Sequence, residues 1–169
     1  MVKMVPGRFT AQTDQPFVVF LIGMRINQWH AIRKWFPTFM AMFPMLRELF
    51  AHPEKGLLGA RSYVGWREVM VVQYWRSFED LERFARSTDD PHIPAWKRFN
   101  RAIGSDGSVG IWHESYLVQS GQYECLYGNM PVFGLAAATR HAPALGRLET
   151  ARRRLGGDNE PAVQTPADV

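Results

Sequence analysis

Two histidines in this 169-residue chain stand where an imidazole could do chemistry: His92, in "STDDPHIPAWKRFNRAI", and His113, in "GIWHESYLV". His92 falls in the first turn of an expected helix, in register with Trp96, Phe99 and Ile103 at steps of four, three and four. The dipole at a helix N-terminus disfavours an imidazolium there, and so does burial on an apolar stripe. Both effects keep the ring neutral near pH 7, as a general base or an axial metal ligand requires. The plainer reading is a helix-start histidine bonded to a nearby carbonyl.

In "GIWHESYLV" the apolar alternation predicts a strand, whose neighbouring side chains point to opposite faces. His113 then travels with Ile111 and Leu117, and Trp112 and Glu114 with Gly110 and Tyr116. This parity separates His113 from Glu114, so the two cannot act as an acid–base pair within one subunit unless the strand bulges. His113 is read chiefly as a satisfied residue facing the interior, with catalysis as the alternative, so His92 carries the chemistry if either does. Glu114 has two readings. It pairs with Arg25, Arg61 or Arg67 on neighbouring strands, or it is buried against Trp112 with a raised pKa and handles a proton.

Other side chains suit a binding role. Trp96 and Trp112 offer flat walls, and Tyr127 and Asn129 offer hydrogen bonds, although "GNMP" is equally good turn chemistry. Met40, beside Met42 and Met45, suits an adaptable apolar pocket or simple core filling. Walker, G-x-G-x-x-G, H-E-x-x-H, G-x-S-x-G and C-x-x-C-H motifs are absent, so those mechanisms have no support. Cys125 is the single cysteine, which fits a reducing cytoplasm and rules out an intrachain disulfide. The net charge of +4 is spread, with no Lys/Arg block before "RRR" at 152–154, so no nucleic-acid partner is expected. "PFVVFLIGM" is too short to span a bilayer and reads as a buried strand, so no membrane partner is expected either.

The elements that must position these residues follow from the hydrophobic period. Residues 1–15 are polar, with Pro6 and Gly7, and read as a flexible arm. Phe17 to Asn27 is apolar on both faces, as a central strand is. From Trp29 to Phe50 the spacing turns helical, with Pro37 and Pro44 inside, which predicts a kink or two helices. "LLGARSYVGW" and "EVMVVQYW" give two strands, Ser77 caps a helix, and "HIPAWKRFNRAI" gives another. The opening strand follows, then "YECLYGNM" as a last one. Residues 142–169 hold few large apolar groups and are expected to be disordered, leaving 16–141 as the folded domain.

The order β-α-β-β-α(α)-β-β is that of an α+β, ferredoxin-like antiparallel sheet with helices on one face. Strands apolar on both sides need a second cover, and a second copy of the sheet, giving a homodimer, supplies one most simply.

The passage "VVQYWRSFEDLERFARSTDDPHIPAW" resembles the dimeric α+β-barrel monooxygenases of antibiotic biosynthesis. "GIWHESYLV" with "GQYECLYGNMPVFGL" resembles more closely a small family named after a fumagillin-pathway monooxygenase. The resemblance spans about residues 16 to 140. It implies a homodimeric barrel that oxygenates a small apolar organic molecule of secondary metabolism without a bound cofactor, in a pocket between sheet and helices. A weaker similarity to haem-containing aldoxime dehydratases implies, as the alternative, haem on His92 or His113. A non-catalytic dimeric binding module is the third reading.

Overall fold

The computed structural model describes residues 3–87 and 106–158, which fall into two compact units. His92 and Trp96 lie outside the described residues. The first unit runs from Phe17 to Leu117; the second joins the N-terminal segment to the chain after it.

The 17–117 unit holds strand β2 (Phe17–Ile26), helix α1 (Ile32–Ala51), β3 (Leu57–Val64), β4 (Glu68–Trp75), helix α2 (Phe78–Arg86) and β5 (Val109–Val118). Its sheet has the order β3-β4-β2-β5, with β2 antiparallel to β4 and β4 antiparallel to β3. This is the ferredoxin-like order expected from the sequence. Register fixes the faces. Val18 opposite Trp75 and Met24 opposite Val69 point one way, and Val19 opposite Tyr74 and Leu21 opposite Val72 point the other.

Both helices pack on the first of these faces. Val18, Leu57 and Trp75 meet Leu49 of α1 and Leu81 and Phe84 of α2 in one cluster. Met24, Ile26 and Val109 meet Trp35 and Phe39 of α1 in another. Trp75 is fully buried, and its indole N–H donates to Gln73 Oε1 at 2.8 Å, which satisfies two buried polar groups together.

Helix α1 is one continuous element with both prolines inside it, rather than two helices. Each proline removes one ladder donor, and the apolar packing of Trp35, Phe39, Met45 and Leu49 holds the helix through both positions. Helix α2 begins as the sequence predicts. Ser77 accepts from the Asp80 N–H at 3.1 Å, with acids in the first turn and arginines in the last, complementing the dipole. The buried Asp80 carboxylate accepts from Arg76 and from Arg83, each at 2.7 Å. Burial alone would raise its pKa, but the bonds and charges of the two arginines outweigh that and hold it below the ordinary value. Gly56 sits at φ 96°, where a Cβ would run into that carboxylate.

The other unit departs from the sequence reading. Residues 8–12 are not a loose arm but strand β1 (Arg8–Gln12), central in a three-stranded antiparallel sheet. Its neighbours are β6 (Tyr127–Gly128) and β7 (Arg140–Pro143). The expected strand over 123–130 shrinks to β6, because β1 meets Cys125 through irregular bonds. Thr10 Oγ1 donates to the Cys125 carbonyl at 2.7 Å, and the Ala11 N–H donates to Cys125 Sγ at 3.3 Å. Residues 142–158 are likewise structured. After helix α3 (Gly134–Ala138) and β7 comes a short helix α4 (Ala151–Arg154). Its Arg154, with a side chain only 6% exposed, donates to the carbonyls of Leu148 and Glu149 and to the Glu124 carboxylate. Polar bonds of this kind order a segment whose apolar content is low.

Candidate functional site

Strand β5 carries the candidate residues of the ferredoxin-like unit, and its parity is as the sequence predicts. Val109 lies in the helix-side cluster, so Ile111, His113 and Leu117 share that side. His113 packs its ring on Phe20 of β2, with centroids 5.7 Å apart. The structure corrects one expectation: His113 is exposed rather than enclosed. Positions 113–117 of β5, an outer strand of the sheet beside β2, are exposed on both faces. An imidazole on a solvent-reachable face lies within reach of a small molecule, with which it can exchange a proton.

Trp112 turns to the opposite face and lies flat over Gly23 of β2, so close that a Cβ at Gly23 would come within 2.7 Å of the indole. The absence of a side chain at position 23 is what lets the ring lie on the sheet. Glu114, on the same face as Trp112, is not held by an arginine. It accepts from the Tyr116 hydroxyl at 2.5 Å, two residues along the strand. Two of the three expected cations are engaged elsewhere: Arg25 pairs with Glu68, and Arg67 donates to the carbonyls of Ile26 and Asn27. The Glu114 carboxylate raises the Tyr116 pKa by accepting its hydrogen bond and by its charge.

Met40 is placed away from the sheet. It sits on the outward stripe of α1, while Trp35, Phe39 and Leu49 take the inward side. The 3.6-residue period explains this, because position 40 lies about 100° around from Phe39. Tyr127 and Asn129 belong to the other unit. The Tyr127 hydroxyl accepts from the Leu135 N–H at 3.1 Å, at the start of α3. Asn129, at φ 52°, exchanges bonds with Gly7: its N–H donates to the Gly7 carbonyl, and its Oδ1 accepts the Gly7 N–H, both at 2.9 Å. Both residues therefore hold backbone in place. A cleft of about 170 Å³ in this unit is lined by Thr10, Gln12, Thr13, Asp14, Tyr123 and Arg154 among others, and by none of the predicted site residues.

Sequence reasoning missed Phe20 as the partner of His113, Gly23 as the seat of Trp112 and Tyr116 as the partner of Glu114. The last was readable, since residues two apart share a strand face. The described residues contain no group of three His, Cys, Asp or Glu able to hold a metal ion.

A ferredoxin-like α+β unit with an imidazole on its helix side and an indole on its open side is the class these features define. Within that class the chain belongs to the monooxygenase af470-like family, whose model matches residues 17–135. It is 27% identical over 141 residues to monooxygenase af470 of Aspergillus fumigatus, across 74% of this chain and 48% of that protein. The chain thus spans about half the length of that relative. Among solved structures it is similar to an aldoxime dehydratase, with TM-score 0.58 and 20% identity, over 79% of this chain and 43% of that one. SnoaB, a cofactor-independent oxygenase from Streptomyces nogalater, matches 62% of this chain and 94% of its own at TM-score 0.44 and 8% identity.

Proposed function

We propose that the chain is a monooxygenase acting on a small apolar organic molecule held against the helix-side face of the ferredoxin-like sheet. The observation that carries this is the exposed His113 ring seated on Phe20, on a largely apolar face whose polar residue Gln73 is taken up by Trp75, in a chain of a monooxygenase-like family. His92 is the first candidate for the base and His113 the second, with Trp96 as a flat wall beside the substrate. Trp112 and Glu114 act from the opposite face, Trp112 by fixing β5 and Glu114 through Tyr116.

The chemistry needs one activated C–H. A neutral imidazole removes the proton, the carbanion gives its electrons to dioxygen, and a C–O bond forms. Loss of water from the resulting hydroperoxide turns a CH₂ group into a carbonyl, so substrate and O₂ give ketone and H₂O with no external reductant. The decisive experiment measures oxygen uptake and ¹⁸O incorporation from ¹⁸O₂ with phenolic and terpenoid candidates. Uptake that survives both His92→Ala and His113→Ala overturns the assignment.

The same exposed imidazole favours a second reading. An imidazole packed on Phe20, on the strand face it shares with Ile111 and Leu117, is a donor that an iron porphyrin accepts. Bound haem would supply an iron centre for the substrate. A Soret band lost in His113→Ala or His92→Ala would establish this reading and displace the first.

The open face of the sheet, with Val19, Leu21, Met70 and Val72 only half buried, is proposed to be covered by the same face of a second copy. Sedimentation at micromolar concentration should give twice the chain mass, and a monomer rules the pairing out.

A further inference from the structure

Helix α1 buries one side and leaves the other bare. Ile32, Phe36, Met40, Phe43 and Phe50 recur at helical spacing along its outer side, and each is between 44% and 58% exposed. This is not the ordinary solvent face of a surface helix, which carries charged and polar residues opposite the core. The exposed residues of the helix, with Arg33, Pro37, Pro44 and Arg47, fill an arc of roughly 140°. That arc holds two arginines and no acid.

The nearest carboxylates are engaged. Asp106 pairs with Lys34, and Glu48 and Glu54 face His52 and Lys55. Near the start of the helix Trp29 packs edge-on against Trp35 and against Trp66, the latter 82% exposed. Indoles of this kind have an apolar body and a polar N–H, and they collect where hydrocarbon meets water.

We propose that the outward face of α1 is a docking surface for an anionic phospholipid bilayer, with the helix lying in the plane of the headgroups. An apolar stripe with arginines and no acid matches such a surface in both polarity and charge. It matches a second copy of itself poorly. A two-fold axis passing near Met40 would bring Arg33 of one helix against Arg47 of the other, with no carboxylate on the face to offset them. The sequence analysis expected no membrane partner because no segment spans a bilayer, and no helix among the described residues is long and apolar enough to do so. A surface-lying helix needs no spanning segment.

The test uses the full chain in co-sedimentation with vesicles of phosphatidylcholine, with and without phosphatidylglycerol, at low ionic strength. Binding is expected to the anionic vesicles and to fall with salt. The double substitution Phe36→Ser with Phe43→Ser should weaken it on the order of tenfold or more, since each ring loses its apolar seat. Arg33→Gln and Arg47→Gln should each weaken it about fivefold on anionic vesicles and hardly at all on neutral ones. Both substitution sets lie on the outer side of the helix, and their far-UV spectra and melting serve as the folding control. Absence of binding to anionic vesicles overturns the proposal, as does binding that survives both substitution sets. If the phenylalanine variant halves the mass in solution while the parent ignores vesicles, the face belongs to a second copy and the proposal likewise fails.

Discussion

Substituting Gly23 by alanine adds one methyl group at the place on β2 where the Trp112 ring of β5 lies. The new Cβ would stand 2.7 Å from the indole Cε2 and Nε1 of Trp112 and 2.8 Å from its Cζ2. Carbon contacts are comfortable at about 3.5–4.0 Å, so the overlap is close to 1 Å over three ring atoms. The ring must leave the sheet or the strands must part, and overpacking of this kind costs about 1–3 kcal/mol. In a Trp112→Ala background the clash is gone, and alanine gains about 0.5–1 kcal/mol over glycine through chain entropy. The double-mutant cycle should therefore show a coupling of about 2 kcal/mol, well above the ~0.5 kcal/mol scatter of independent sites. Urea titration of the four proteins by far-UV circular dichroism measures it, and loss of the Trp112 near-UV signal in Gly23→Ala checks the mechanism. Additive effects would refute the reasoning, because they would mean that the ring does not rest on Gly23.

Asp80→Asn should lower stability by about 1–2 kcal/mol at neutral pH, discounted because both arginine partners are largely exposed. The native carboxylate pKa is depressed, so its contribution is present above the unfolded value and lost as pH falls through the folded one. The gap between parent and variant should close on acidification, as melting at stepped pH will show. Tyr116 has a raised pKa, so its bond to Glu114 contributes below the ordinary tyrosine range and is lost at higher pH. Tyr116→Phe should remove that alkaline dependence from the melting curves. His113→Ala should cost under about 1 kcal/mol, the worth of a ring contact on an exposed strand, and read out mainly in oxygen uptake. Deletion from residue 146 onward removes Arg154 and its bonds, and should destabilise the unit containing β1 by about 2 kcal/mol or more in a thermal melt.

The ferredoxin-like unit was legible because its signals are local. "FVVFLIGMRI" and "EVMVVQYW" carry their period in consecutive residues, Ser77 announces α2, and the parity of "GIWHESYLV" places His113 and Glu114 on opposite faces. The second sheet was not legible, because its strands are two to five residues long and their partners lie far along the chain. A five-residue strand with polar Arg8, Thr10 and Gln12 looks like a loose arm until its partners are known. Arg154 was missed for a different reason, since a buried guanidinium bonded to carbonyls leaves no trace in hydropathy. His113 was placed on its face correctly but not at its depth, which depends on the sheet edge rather than on the strand.

The course of β1 has a consequence for how the chain is made. Its partners β6 and β7 come from the far side of an inserted unit, and the bond from Thr10 to Cys125 closes a separation of 115 residues. During synthesis at about 5–20 residues per second, β1 leaves the ribosome on the order of ten seconds before its partners exist. The segment 17–117 is made during that interval, and its fourth sheet strand is complete shortly before β6 appears, while β1 waits throughout with both edges unpaired. The small polar strand is suited to that wait: with Thr10 and Gln12 among its five residues, it offers a nascent neighbour little apolar surface to seize.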